Sequence, residues 1–140
     1  AVQCAVNILN SAGAIGYVSE DFNPNEILKE CQKNDIPILA IRAVQAGALT
    51  SAMDRQPHES GFDHKDFEDY EKAYIFRELV NEWQELPAKI AHRYALSIEK
   101  VSSVILGVKN RQELTECIEA EQEGVLTSKE METLEDLFDL

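Results

Sequence analysis

The segment Ile36–Ile41 constrains the fold of this chain more than any other. It reads IPILAI, an almost unbroken apolar run that is typical of a β-strand buried on both faces. Small residues follow it, among them Ala43, Ala46 and Gly47. Small residues at the carboxyl end of a strand let a ligand approach the backbone, and ligands of α/β folds bind at that end. The segment therefore predicts a ligand site where this strand ends.

Predicted strands and helices alternate along the rest of the chain. Strands are predicted near residues 2–8, 36–41 and 101–106 from their apolar runs. Helices are predicted from Asn23-Pro24 to Asn34, over Phe67–Glu85, over Ala88–Leu96, over Asn110–Glu119 and over residues 128–138, with loops at Asn10–Glu20 and Ser51–Lys65. A chain of 140 residues is long enough for one domain with a buried core. The prediction is therefore a single α/β domain over residues 1–140.

The charge of the chain limits its partners. Its formal net charge is −13, which repels the phosphates of nucleic acids and the surface of anionic membranes. No apolar run approaches the ~20 residues that a membrane-spanning helix needs. We therefore predict that neither a nucleic acid nor a membrane is a partner of this chain.

Cysteine and histidine residues give no sign of a metal site. The three cysteines lie far apart in the sequence and form no Cys-x-x-Cys pair, which favours buried, reduced thiols in a cytoplasmic protein. His58 and His64 lie in the polar segment Ser51–Lys65, but their spacing matches no common metal site. His92 is predicted on the surface of a helix. No metal ligand is therefore predicted.

Two places in the sequence leave a structural and a functional interpretation open. Gln3 and Asn7 are polar residues in the first predicted strand, where each needs a hydrogen-bond partner. They either bond to a neighbouring strand or loop, or point into a ligand site. After the third strand, Gly107, Lys109 and Asn110 precede a helix whose N-terminal amides suit a phosphate. The alternative there is an ordinary turn between a strand and a helix.

Four stretches of sequence resemble the C-terminal half of the aldo-keto reductases. They are ILAIRAVQAGALT, AxxYALS, VSSVILGVKNRQELTECIEA and LTSKEMETL, and their order and spacing extend the resemblance over nearly the whole chain. The resemblance implies the C-terminal part of a (β/α)8 TIM-type barrel, with about three β/α units and a capping helix. It also implies the activity of that family, hydride transfer from NAD(P)H to a small carbonyl substrate.

The resemblance further implies which residues bind the nicotinamide and the pyrophosphate. Gln3 matches the family's glutamine that binds the carboxamide. Ile41 stands where an aromatic residue often stacks on the nicotinamide, and Arg42 stands where many members have serine. Val44 and Gly47 lie in the segment that would line the pyrophosphate. The first two predicted strands are therefore expected to hold the nicotinamide half of the cofactor.

The third predicted strand would hold the adenosine half. The residues that match the family's phosphate-binding loop are Gly107, Val108 and Lys109. The family often continues with Gln-Leu-x-Glu-Asn, where this chain has Glu113, Glu116 and Cys117; only Glu116 matches. An acid at Glu113 would repel the 2′-phosphate of NADP(H). The resemblance thus implies NADP(H) as the cofactor, with NAD(H) as the alternative.

No catalytic residue is predicted in this chain. The family's Tyr, Asp, Lys and His set lies on earlier strands and loops, and none of the four maps onto these residues. Two functions remain: half of a carbonyl reductase that supplies part of the cofactor site and a substrate loop, or a non-catalytic half-barrel that serves as a regulatory or interaction subunit. With three strands, the sheet is expected to pair with a missing half or to form a homo-oligomer. Ala1 opens without a signal peptide or an initiator Met, which indicates a longer chain or processing.

Overall fold

The structure, a computed structural model, describes residues 1–15 and 23–140. Three parallel strands form its sheet: β1 (Val2–Ala5), β2 (Ile38–Ile41) and β3 (Val101–Val104). β2 lies in the middle, where it pairs with β1 on one side and with β3 on the other. The three predicted strands are thereby confirmed. Of the predicted loop Asn10–Glu20, residues 16–20 lie outside the described part of the chain.

Each strand is shorter than predicted, for a local reason. After β1 the chain turns, because the N–H of Asn10 donates to the carbonyl oxygen of Asn7 at 3.0 Å. Before β2, Pro37 has no N–H to donate, and the N–H of Ile36 donates to Cys31 at 2.8 Å. β3 ends at Val104, opposite Ala40, and the N–H of Ile105 makes one more hydrogen bond to β2, donating to the carbonyl oxygen of Ala40 at 2.8 Å. The apolar runs of the sequence therefore extend past the residues that pair in the sheet.

The described part of the chain contains six helices. They are α1 (Pro24–Lys33), α2 (His64–Lys72), α3 (Tyr74–Glu82), α4 (Pro87–Ser97), α5 (Arg111–Glu123) and α6 (Ser128–Asp136). None of them is long and apolar enough to cross a bilayer. Side chains cap three of them: Asn23 accepts from Asn25 at 3.0 Å, Asn110 accepts from Glu113 at 3.0 Å, and Thr127 forms a capping box with Glu130. The helix starts predicted at Asn23-Pro24, Asn110 and residue 128 are confirmed.

The single helix predicted over Phe67–Glu85 is wrong, because the structure has two helices that meet at Ala73. α2 already begins at His64, and Ala73 has φ −74° and ψ 3°, outside the helical range. The guanidinium of Arg77 explains the break. It donates to the carbonyl oxygen of Tyr70 at 2.8 Å and to that of Ala48 at 3.0 Å. In a continuous helix the Tyr70 oxygen would instead accept from the backbone N–H four residues later.

Two apolar clusters form the core. One lies among α3, α4 and α6 and contains the fully buried Phe76 and Leu134. The other lies between α1 and the sheet and contains Ile38 together with Cys4 and Cys31. Burial, with a smaller effect of Cys31, raises the pKa of the Cys4 thiol to about 11. All three cysteines are buried as free thiols, as predicted.

The sheet leaves two edges open among the described residues. β1 and β3 each pair with β2 alone, so one edge of each strand has no partner in residues 1–15 and 23–140. Beyond β3, the apolar residues Ile105 and Leu106 are 44% and 42% exposed. Open edges beside exposed apolar side chains favour pairing with a further strand.

Candidate functional site

A cavity of about 590 Å³ opens at the carboxyl ends of β2 and β3. The segments that follow these two strands line it, together with residues at the start and middle of α4 and in α5. In a parallel sheet the carboxyl ends lie at the same edge, which brings distant parts of the sequence into one wall. The small residues after β2 are among those that form the cavity.

Nine of the eleven residues predicted to contact a cofactor line this cavity. They are Arg42, Val44, Gly47, Gly107, Val108, Lys109, Glu113, Glu116 and Cys117. The other two, Gln3 in β1 and Ile41 in β2, lie outside the lining, Gln3 with an exposed side chain and Ile41 half-buried. The predicted residues that follow the strands thus line one cavity, whereas the two that lie within the strands do not line it.

The cavity wall after β2 has a strained backbone. Arg42, Gln45 and Ala46 adopt φ angles of 57°, 46° and 51°, which residues other than glycine rarely occupy. Gly47 follows with φ 98°. Such conformations cost about 1–3 kcal/mol each and persist only where surrounding contacts fix them. The side chains of Arg42 and Gln45 make those contacts.

Asp66 is the centre of a buried group of charges beneath this wall. Its carboxylate accepts from the guanidinium of Arg42 and, at 3.0 Å, from that of Arg55. Arg55 also pairs with Asp63, and Arg42 donates to the side-chain oxygen of Gln45 at 2.9 Å. The side chains of Asp63 and Asp66 are only 4% and 5% exposed. Arg42, Arg55, Asp63 and Asp66 are called the Asp66 network below; within it every buried carboxylate has a guanidinium partner.

Asp69 and Asn7 extend these contacts to the loop after β1. Asp69 accepts from Nε2 of Gln45 at 2.7 Å and from the hydroxyl of Ser11. Nδ2 of Asn7 donates to the carbonyl oxygen of Ser11 at 2.8 Å and to that of Arg42 at 3.3 Å. Of the two interpretations left open for Asn7, the structure shows the local one, hydrogen bonding to neighbouring loops.

Gly13 packs against the Asp66 network where a side chain has no room. It adopts φ 54°, and a Cβ atom there would collide with the carboxylate of Asp66 and the guanidinium of Arg42. The amide of the next residue, Ala14, donates to Asp66 at 2.9 Å. The loop after β1 therefore supports the cavity wall from behind through direct backbone contact.

The aspartates of this region were missed by reasoning from the sequence. Asp63 falls in the segment predicted as a polar loop, Asp69 falls in the helix predicted over Phe67–Glu85, and Asp66 lies between the two. Their regular spacing places them on one helical face, and this spacing is the signal that could have revealed them. Their partner Arg42 lies on a distant segment, which no local pattern connects to them.

The opposite wall, after β3, carries exposed charges. The ammonium of Lys109 lies 2.6 Å from each carboxylate oxygen of Asp54. The backbone N–H of Lys109 donates to Oε2 of Glu113 at 2.7 Å, and the side chain of Asn110 donates to Oε1 at 3.0 Å. The hydrogen bond from Lys109 holds the pKa of Asp54 below its usual value. Asp54, Lys109, Asn110 and Glu113 are called the Lys109 cluster below.

The prediction that His92 lies on a helix surface is wrong. α5 packs on α4 and covers this side chain, whose Nε2 lies 3.2 Å from Sγ of Cys117. Burial lowers the pKa of His92, against an opposite effect of Glu116. Burial, followed by the charges of Glu116 and Glu113, raises the pKa of Cys117. Both side chains are therefore neutral at pH 7 and form an uncharged part of the cavity wall.

The lining groups are suited to binding. Backbone amides, paired charges and small side chains surround the cavity, and its imidazole and thiol are neutral. The tyrosines Tyr70, Tyr74 and Tyr94 do not line it. Burial raises the pKa of Tyr94, which keeps its phenol protonated inside the core. The arrangement can therefore hold a ligand along the carboxyl edge of the sheet.

Comparisons with solved structures agree with this architecture. The aldo-keto reductase AKR11C1 from Bacillus halodurans has a similar fold, with a TM-score of 0.68 for its apo form and 0.63 for its holo form. Each alignment covers 96% of this chain at 16% sequence identity, and it covers 42% of the apo chain and 41% of the holo chain. The chain thus spans about two-fifths of the length of the structures that it matches.

Comparison at the level of sequence identifies the family. A search of the curated proteins found no match. The model of the Aldo/keto reductase family matches residues 1–139. The fold of this chain is the corresponding part of the TIM-type barrel of these reductases, as predicted. With a match over nearly its whole length, the chain belongs to the aldo/keto reductase family.

Proposed function

We propose that the cavity binds the nicotinamide cofactor of a carbonyl reductase. The observation that carries the proposal is the convergence of nine predicted residues, from two distant segments, on one cavity at the carboxyl edge of the sheet. The family generally uses nicotinamide cofactors, and one of the two similar structures is a holo form. The cofactor is NADP(H) or NAD(H), and the second substrate is a small carbonyl compound.

The proposed cofactor extends from the wall after β2 to the wall after β3. The strained segment that contains Val44 and Gly47 would lie along the pyrophosphate, where the absence of large side chains allows close approach. Gly107 and Lys109 would face the adenosine end. Gln3, exposed in β1, is proposed to reach the carboxamide from outside the cavity lining. The polar segment Ser51–Lys65 would shape the substrate side, and we propose a cytoplasmic location for the protein.

A steric block of the cavity tests the proposed function. Gly107 lines the cavity, and a Cβ atom at this position meets no atom within 4 Å. Gly107→Trp should therefore fill the cavity without disturbing the fold. In calorimetric titrations of the full chain with NADH and NADPH, we expect this variant to bind both at least about tenfold more weakly, which corresponds to 1.4 kcal/mol.

Val125→Trp is the matched control for this block. Val125 is 61% exposed and does not line the cavity. The variant therefore adds the same side chain at a position where it does not block the cavity. Its affinity for both dinucleotides should equal that of the wild type. An unchanged affinity in Gly107→Trp, or an equal loss in both variants, would remove the cavity as the cofactor site.

Turnover tests whether this chain supplies only part of a reductase. Carbonyl reduction needs a proton donor beside the hydride acceptor, a contribution of about 10²–10⁴-fold in rate. The family's four catalytic residues have no match in this chain, so we expect the 140 residues alone to bind a dinucleotide without oxidising NADH or NADPH in the presence of an aldehyde. Oxidation by the pure chain would contradict this division of roles.

The open edges of the sheet support a proposal about partners. β1 and β3 each have one edge with no partner in the described ranges, and Ile105 and Leu106 are exposed beside β3. We expect further β/α units or a second copy of the chain to cover these surfaces. Sedimentation at several concentrations should show association, and a compact monomer that binds no hydrophobic dye would contradict it.

A further inference from the structure

We propose that the cavity selects NAD(H) over NADP(H), because Glu113 occupies the place where a 2′-phosphate would be bound. This inference rests on the proposed function and concerns the adenosine end of the same cavity. It depends on three features of the Lys109 cluster: the donors that Glu113 already uses, the partner of the Lys109 ammonium, and the balance of charge.

The carboxylate of Glu113 already takes the hydrogen bonds that a phosphate would need. Its Oε2 accepts from the backbone N–H of Lys109 at 2.7 Å, and its Oε1 accepts from Nδ2 of Asn110 at 3.0 Å. Both donors lie at the N-terminus of α5, where the helix dipole favours an anion. A phosphate in this position would have to displace a carboxylate of the protein or lie against it.

The ammonium of Lys109 is also paired with an anion. Both carboxylate oxygens of Asp54 lie 2.6 Å from Nζ, so that the lysine contributes no net positive charge to this end of the cavity. Glu113 and Glu116 of α5 also line the cavity, so that this helix adds two carboxylates beside the paired Lys109 and Asp54. Two like charges about 4 Å apart repel each other by ~1–4 kcal/mol near a protein surface. A 2′-phosphate therefore meets a negative field here.

Ribose hydroxyls fit this arrangement better than a phosphate does. Each carboxylate oxygen of Glu113 accepts one hydrogen bond within the cluster and has a further lone pair for a second donor. The 2′- and 3′-hydroxyls of NAD(H) are donors, whereas the 2′-phosphate of NADP(H) offers acceptors and negative charge. The same carboxylate that repels NADP(H) can thus hold the diol of NAD(H).

Calorimetric titration of NADH and NADPH against the full chain tests the inference without a measurement of activity. We expect the wild type to bind NADH at least about tenfold more tightly than NADPH. Glu113→Gln removes the charge and keeps the shape of the side chain, and it should reduce this ratio by about tenfold or more. Asp54→Asn should raise the affinity for NADPH alone, because it releases the ammonium of Lys109.

Glu121→Gln is the matched control. Glu121 is an exposed glutamate of the same helix that does not line the cavity, so this variant removes an equal charge and should leave the ratio of affinities unchanged. A wild type that binds NADPH as tightly as NADH would overturn the selectivity while the proposed function stands. An unchanged ratio in Glu113→Gln would also overturn the inference. Failure of the wild type to bind either dinucleotide would overturn the proposed function and this inference together.

Discussion

The two walls of the cavity hold their charges in opposite ways. After β2, the ion pair between Arg42 and Asp66 is buried, with side chains 14% and 5% exposed. After β3, the ion pair between Lys109 and Asp54 is open to water, with side chains 59% and 55% exposed. The buried pair is held in a fixed geometry by further hydrogen bonds. Water and salt screen the charges of the exposed pair, so that its side chains rearrange easily.

This difference assigns different roles to the two walls. The Asp66 network fixes a strained backbone, so a change there alters the shape of the cavity and the stability of the fold. The Lys109 cluster sits on a regular helix start, so a change there alters the charge presented to a ligand and little else. We expect stability to respond to the first wall and ligand preference to respond to the second.

Loss of the Asp66 carboxylate should have the largest effect. Asp66→Ala leaves the guanidinium of Arg42 buried without its main partner, a change that typically costs about 3–5 kcal/mol. Urea unfolding of the variant and the wild type measures the difference. Asp35→Ala is the control, because Asp35 is also ion-paired, to Lys100, but its side chain is 85% exposed. An equal loss of stability in the two variants would contradict the contrast between buried and exposed pairs.

A methyl group at Gly13 should have the next largest effect. Gly13→Ala places a Cβ atom against Asp66 and Arg42 at a positive φ, and we expect a loss of about 2–4 kcal/mol from overpacking and backbone strain together. Gly61→Ala isolates the strain, because Gly61 has φ 70° with open space around it, and should cost about 1 kcal/mol. Thermal unfolding of both variants measures the difference; similar losses would show that the network has room to move.

The buried His92 should make stability depend on pH. Because burial lowers its pKa below the ordinary 6.5, the unfolded chain binds the proton first as the pH falls. The contribution of His92 to the free energy of unfolding should therefore be constant above pH 6.5 and should decline below it. His92→Gln should remove this component, and His58→Gln, at an exposed histidine, should retain it. Denaturant unfolding between pH 5 and 8 measures the profiles, and parallel profiles for all three proteins would contradict the burial of His92.

The exposed ion pair should contribute least. Lys109→Ala breaks the contact with Asp54 and should change the free energy of unfolding by less than about 1 kcal/mol. Added salt should reduce even this difference, because exposed charges are screened. Urea unfolding at low and high salt measures it. A loss comparable to that of Asp66→Ala would remove the distinction between the two walls.

What could be predicted from the sequence is what local patterns encode. Helix starts are indicated by the capping side chains of Asn23, Asn110 and Thr127, and strands are indicated by the apolar runs. The segments that follow β2 and β3 were identified from small residues after a strand and from a helix start. The resemblance implied their roles, and the topology of a parallel sheet brings them together. The buried His92 and the break at Ala73 could not be predicted, since both depend on partners far away in sequence, Cys117 in one case and Ala48 in the other.

The register of the sheet also determines how the chain can fold. Val2 pairs with Ile38, and Ile38 pairs with Val101, so that every strand finds its partner across at least one intervening helix. Sheets built only from such distant pairs have a high contact order and form slowly, because the chain loses much entropy before any strand pairing is gained. β2, the partner of both other strands, has to be in place before either can dock. Because the helix caps described above are local, we expect them to form early and the carboxyl edge of the sheet, with the cavity, to be completed late.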